Sequence, residues 1–208
     1  MDQHDTLFSA NPVLKTILER RSIRSFSEEP VSDDQLHLLL QAANQAPSAH
    51  NQQSWRFVVL RGERKQGLAH LVSESAHRFP KPVQALLRMS ARCIASAPVV
   101  VAVANSAELI SHGPEMFRSD GAFVADFFRT MEIQSSSAAV QNMLLAATSI
   151  GLATVWLGIM FLMKDEVLEY LGLPGGEFMA VVPIGHAARS QNGPPKKQDL
   201  TQKVIFLE

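Results

Sequence analysis

Three guanidinium groups and a hydroxyl fall within five residues of Arg20-Arg21-Ser22-Ile23-Arg24-Ser25-Phe26. The chain as a whole has a formal net charge of -1, so this cluster answers a local need for positive charge. Arginine presents five fixed donors and stays charged, which suits phosphate or another delocalised anion. Ser22 adds a short donor between the guanidinium groups. The alternative is a solvated basic helix end. Arg20 and Arg21 fall in or just after the last turn of a helix, where cations are welcome without any ligand. Arg24 lies beyond that helix, so the helix end does not account for it.

A second polar site is the loop Ala46-Pro47-Ser48-Ala49-His50-Asn51-Gln52-Gln53-Ser54-Trp55. Amide side chains both donate and accept, so this loop suits a ligand with alternating donors and acceptors, such as a base or a ring-fused pyrimidine. A polar surface loop is the alternative. His50 could act as a base, but no Ser or Cys nucleophile is spaced to pair with it. Lys196 and Lys197, after two prolines, form a third basic point. The chain has no Walker-type phosphate loop and no GxGxxG fingerprint. Its histidines show no metal-ligand spacing with Cys or carboxylates. Anion-binding groups and amides without an acid–base pair point to a cofactor that carries the chemistry itself.

Several elements must position these residues. Asn11-Pro12 reads as a helix start, followed by an apolar stripe at Val13, Leu14, Ile17 and Leu18. Ser32 with Gln35 is a capping-box signature, and Pro47 should end the helix that follows. Trp55–Leu60 reads as a strand. Residues 63–78 and 82–96 read as helices. Val99–Val103 is an apolar run that implies a strand buried on both faces. Residues 105–132 mix Gly113-Pro114 with Phe117, Phe123, Phe127 and Phe128, which fits a lid, a partner-contacting arm or a satellite core. The pattern predicts a helix over 134–150 closed by Gly151, then a strand over Leu152–Gly158. A short helix from Lys164 to Leu171 and a buried strand over Phe178–Ile184 follow, with a last strand at Val204–Leu207. Strands separated by helices imply a helix-rich α+β domain around one sheet.

The chain has 208 residues, 46% hydrophobic and 19% charged, which predicts one globular domain over residues 1–208. Nineteen basic residues balance twenty acidic ones, which argues against broad nucleic-acid binding. Cys93 is the one cysteine, in an apolar run, and reads as a buried structural thiol. A single thiol and an N-terminus without an export signal imply a reducing, cytoplasmic setting. Ile133–Met163 carries no charge and is long enough to span a bilayer. Its polar front and central glycine favour a buried helix, a stop and a buried strand, so no membrane association is expected.

Taken in order, the motifs resemble the FMN-dependent nitroreductases. Arg20–Phe26 looks like that family's opening motif, and Ala46–Leu60 like its second. Gly151–Gly158 (Gly-Leu-Ala-Thr-Val-Trp-Leu-Gly) looks like its third. Val181–Ala187 and the basic Pro-Lys tail look like its C-terminal signature. The resemblance implies an α/β sandwich with a mostly antiparallel central sheet, working as an intertwined homodimer with FMN at the interface. It implies that Arg20, Arg21 and Ser22 meet the FMN phosphate and ribityl chain, and Arg24 the pyrimidine side of the ring. Pro47, Ser48, Ala49 and Asn51 would reach the flavin from the partner subunit, with Gln53 supporting their loop. Trp156, Leu157 and Gly158 would line the ring, and Lys196 or Lys197 would complete the phosphate site. The implied activity is ping-pong transfer of electrons from NADPH or NADH to a small-molecule acceptor such as a nitroaromatic or quinone. A flavin-fragmenting or dehalogenating relative, or a non-catalytic flavin-binding protein, are the alternatives. The tail departs from the family's pattern at Lys196-Lys197-Gln198, and Leu157 stands where some members carry an acidic residue.

Overall fold

The computed structural model describes residues 10–118, 122–189 and 197–207. Helix α1 spans Pro12–Glu19, and Asn11 Oδ1 accepts the Val13 and Leu14 N–H groups at 2.9 and 3.2 Å. Helix α2, Asp33–Asn44, opens with the reciprocal capping box of Ser32 and Gln35. The chain continues through β1 (Trp55–Leu60), α3 (Gly62–Ser75), α4 (Lys81–Ser96), β2 (Val99–Asn105) and α5 (Glu108–Phe117). Then come α6 (Ala122–Ser149), β3 (Ala153–Thr154), α7 (Lys164–Leu171) and β4 (Glu177–Gly185).

The strands form one antiparallel sheet in the order β1-β2-β4-β3. Side chains alternate across a strand, and β2 shows the consequence. Val100, Ala102 and Ala104 enter one apolar cluster with residues of α3, α4 and α7. Val99, Val101 and Val103 enter the other, with residues of α2 and α6. The sheet is therefore the middle layer of a helix–sheet–helix sandwich, with β2 and β4 buried throughout.

Three expectations need correction. The helix expected from residue 134 begins at Ala122, and the stretch before it supplies a further helix, α5, packed on α6. Phe128 is fully buried there with Leu109 and Val124 as a satellite core. Gly113 permits this packing, since a Cβ on it would strike the Phe128 ring. The strand expected over Leu152–Gly158 is paired only at Ala153–Thr154 and again at Leu157, opposite Val181. The register carries through, but the residue facing Val155 is Pro183, which has no N–H to give. Val204–Leu207 is no strand: Val204 is extended, but the segment pairs with nothing among the described residues, and Leu207 is 94% exposed.

No described helix is long and apolar enough to cross a membrane. The uncharged run from Ile133 instead supplies Val140, Met143, Leu144 and Ala147 of α6 to the core. It turns at Gly151, with φ 78°, into β3.

Candidate functional site

Helix α1 ends at Arg20, whose N–H still bonds to the Thr16 carbonyl at 3.0 Å. The next residues run along the free edge of the sheet. Ser22 bridges Thr154 in parallel, and the Ile23 N–H donates to the Thr154 carbonyl at 2.9 Å. Phe26 bridges Ala187, and the Ser27 N–H donates to the His186 carbonyl at 2.9 Å. Ile23 and Phe26 turn into the core, and Gly185 lets Phe26 in. Ser22 and Arg24 are left facing outward, with Arg20 and Arg21 half-buried.

This edge holds several uncommitted donors. Arg20 and Arg24 meet no carboxylate among the described residues. The Arg24 guanidinium reaches the Ser22 carbonyl at 3.5 Å. Thr154 Oγ1, beside Ser22, is buried without a partner among the described residues. Buried hydroxyls are normally satisfied, so this orphan, beside a segment carrying three arginines, is a group that a polar ligand could complete. Cys93 lies underneath, its thiol donating to the Arg24 carbonyl at 3.3 Å. Burial pushes that thiol's pKa up, against the pull of Arg24 and Arg92, so it is a structural contact and not a nucleophile.

The chain leaving Thr154 brings the third motif to the same edge. The Leu157 side chain is buried in the core, so only its main chain can face a ligand. A Cβ on Gly158 would lie 3.5 Å from Trp156 Nε1, which puts the half-buried indole over the Gly158 backbone. Gly158 accepts the Phe161 N–H at 3.0 Å, and its own N–H meets no acceptor among the described residues. Motifs one and three thus share one surface rich in donors. Thr154 lies inside the third motif, but nothing in the sequence pattern tells which strand hydroxyl stays unpartnered.

The second motif is elsewhere. Ala49–Asn51 forms a tight helical turn after α2. Ser48 Oγ accepts the Gln53 N–H at 3.1 Å, and Gln53 Nε2 donates to Asn51 Oδ1 at 2.9 Å. Ser135 of α6 accepts the Ala49 N–H at 3.1 Å. Pro47, Ser48 and Ala49 line a cleft of about 320 Å³ with Met131, Gln134 and Ala138 of α6. This loop precedes β1 and lies at the end of the sheet marked by Asn105, whereas Thr154 sits at the end marked by Val99. Four strand spacings separate β1 from Ser22, about 19 Å, and six residues along β2 add about 20 Å in the other direction. Within one chain the polar loop and the arginine segment occupy opposite corners of the sheet. Lys197 is exposed, and Lys196 lies outside the described residues.

Comparison with known proteins agrees with this architecture. A protein of Desulfovibrio desulfuricans solved in complex with FMN is 30% identical, with TM-score 0.72, over 95% of this chain and 98% of that one. A nitroreductase of Desulfitobacterium hafniense with bound FMN is 26% identical, with TM-score 0.69, over 95% and 99%. The FMN reductase (NAD(P)H) of Bacillus subtilis is 28% identical over 199 residues, 94% of this chain and 72% of that protein. Residues 17–186 match the profile of the Nitroreductase family, a span that runs from the last turn of α1 to the residue after β4. With the sandwich and the three motifs lying inside that span, the chain belongs to the Nitroreductase family.

Proposed function

We propose that this chain is an FMN-dependent oxidoreductase that takes electrons from NADPH or NADH and passes them to nitroaromatic, quinone or similar acceptors. Its working form is a homodimer with FMN at the interface. The observation that carries the reading is the surface of open donors at Arg20, Arg24 and the Gly158 N–H, with the unpartnered Thr154 Oγ1 buried beside it. A molecule with a phosphate at one end and a polar heteroaromatic ring at the other fits that set. The FMN-bound relatives share the fold around it.

FMN, when bound, supplies hydride and electron transfer; the protein's residues bind, orient and shield it. Arg20, Arg21 and Ser22 would hold the phosphate and ribityl chain, with Lys196 or Lys197 closing that end. Arg24 would place a fixed positive charge at the pyrimidine edge, and such preorganised charge favours uptake of electrons there. The Gly158 N–H and the main chain of Trp156 and Leu157 would meet the ring. A single stacking surface would serve donor and acceptor in turn, which gives ping-pong kinetics.

The second copy answers the separation of the two polar corners. Pro47, Ser48, Ala49 and Asn51 cannot reach the arginine segment of their own chain, but can reach that of a partner. Two further features favour a partner. Helix α1 has no buried residue although Val13, Ile17 and Leu18 form its apolar stripe. A groove of about 450 Å³ beside it is lined by Pro12, Val13, Ala42, Leu145 and Ala146.

Purified protein should be yellow, and its flavin bands should bleach on adding NADPH or NADH and return on adding a quinone or nitroaromatic. A colourless protein that FMN cannot reconstitute would sink the reading.

A further inference from the structure

Glu132 is fully buried on α6, and the proposed chemistry makes no use of it. Its Oε1 accepts the Leu109 N–H, in the first turn of α5, at 2.9 Å. Ala107, before that helix, has φ 60° and offers no side-chain cap. The orphan donors of a helix start need acceptors, and here a carboxyl from the neighbouring helix supplies one. Glu108, next in the chain, faces outward. Its Oε2 accepts from Gln52 Nε2 at 3.3 Å, and its Oε1 pairs with Arg56 at 3.2 Å.

Gln52 belongs to the polar loop, where His50, Asn51 and Gln53 have φ of 52°, 54° and 50°. Backbone of this kind costs on the order of 1–3 kcal/mol per residue and persists only where neighbours impose it. Besides the bonds within the loop, Ser135 holds the Ala49 N–H and Glu108 holds Gln52 from outside it.

We propose that Glu132 is a positioning residue of the candidate site, acting through α5 and Glu108 on the loop Ser48–Ser54. The proposal rests on the assignment of that loop to the FMN site. The charges of Glu108 on α5 and Glu177 on β4 act on Glu132, while Arg129, a turn away on α6, and Lys164 of α7 are both committed to Glu177. Burial pushes the Glu132 carboxyl above the ordinary carboxylate range, with Glu108 and Glu177 adding to the shift and the Leu109 and Ala107 amides opposing it. Its Oε2 has no partner among the described residues, so one oxygen of the ionised form would lie buried without a donor. The folded chain therefore keeps a proton that the unfolded chain loses near pH 4.3, an ordinary value of about that size. Stability, and with it the order of α5 and the loop, declines as pH rises from there to the raised pKa, and levels once both states are ionised.

The test combines Glu132→Gln, Glu132→Leu and Glu108→Ala in the full-length protein. Amide hydrogen exchange of residues 48–54 and FMN affinity are followed from about pH 5 to about pH 9, above the ordinary carboxylate value. Glu132→Leu should raise loop exchange and weaken FMN binding about ten-fold, the order of one lost hydrogen bond. Glu108→Ala should do the same to the loop while leaving α5 protected; because Glu108 is half-exposed, it carries the test if Glu132→Leu does not fold. Glu132→Gln should match the wild type at low pH and lose its pH dependence. Loop exchange unchanged in Glu132→Leu or Glu108→Ala, or a wild-type pH profile in Glu132→Gln, would overturn the proposal. Altered loop exchange in a protein that never binds FMN would support the positioning role and end the flavin reading instead.

Discussion

At the scale of single residues, the arginine segment divides by neighbour. Arg20 and Arg21 sit where a helix end stabilises cations unaided, but Arg24 stands beyond it on a stretch pinned by Ile23 and Phe26. Arg24→Ala should therefore leave the fold intact while weakening FMN binding and lowering the flavin reduction potential. Titration and spectroelectrochemistry check both, and no change in either would remove the role given to Arg24. Thr154 offers a sharper sign. Replacing a buried, unpartnered hydroxyl by an isosteric methyl is neutral or stabilising in the absence of ligand. Thr154→Val should thus keep or raise the melting temperature of the FMN-free protein and weaken FMN binding by about 3- to 10-fold, the order of one hydrogen bond. An unchanged FMN affinity would mean that the hydroxyl faces no ligand.

At the scale of elements, the arginine segment is held because β4 ends in a residue without a side chain. A Cβ on Gly185 would lie 2.5 Å from Pro98 Cδ and 3.2 Å from Phe26 Cδ1. Proline cannot swing aside, so the end of β4 must shift away from it and press on Phe26. Gly185→Ala should cost about 1–3 kcal/mol, as overpacking does, and loosen Ser22–Ser27 from the sheet edge. Chemical denaturation gives the first, and hydrogen exchange at Ile23 and Ser27 the second. The α5 and α6 pair rests on Phe128 in the same way. Phe128→Ala should destabilise by about 3–5 kcal/mol, read by the same denaturation experiment. Retained stability would mean that the pair does not depend on its satellite core.

At the scale of the whole molecule, the chain places its two polar sites at opposite corners and leaves an apolar face on α1 uncovered. The proposed second copy would resolve both. The exposed tail, with Ile205, Phe206 and Leu207 at 85%, 84% and 94% exposure, is the kind of apolar segment that a partner surface would cover. Deleting residues 204–208 should weaken the dimer, seen as a shift toward monomer on dilution in analytical ultracentrifugation, and reduce FMN binding with it. A monomer that binds FMN at full affinity would refute a composite site.

The elements and most of their ends were readable along the chain because their causes are local. The Asn11 cap, the Ser32–Gln35 box and the Trp55–Leu60 strand each depend on residues a few positions apart. The arginine segment and the two later motifs were readable for a related reason, since unusual polar groups stand out against an apolar frame. What stayed hidden depends on partners far away in the chain. Pro183 silences one ladder bond of the strand after Gly151, so that strand is shorter than its pattern. Phe128 finds Gly113 across a helix pair, which turns an unreadable stretch into two helices. Thr154 becomes special only because Ser22 lies beside it, and Glu132 only because α5 begins over its carboxyl. Local sequence decided which residues could do chemistry; the tertiary structure decided which of them meet, because burial and hydrogen bonding are settled between segments and not within them.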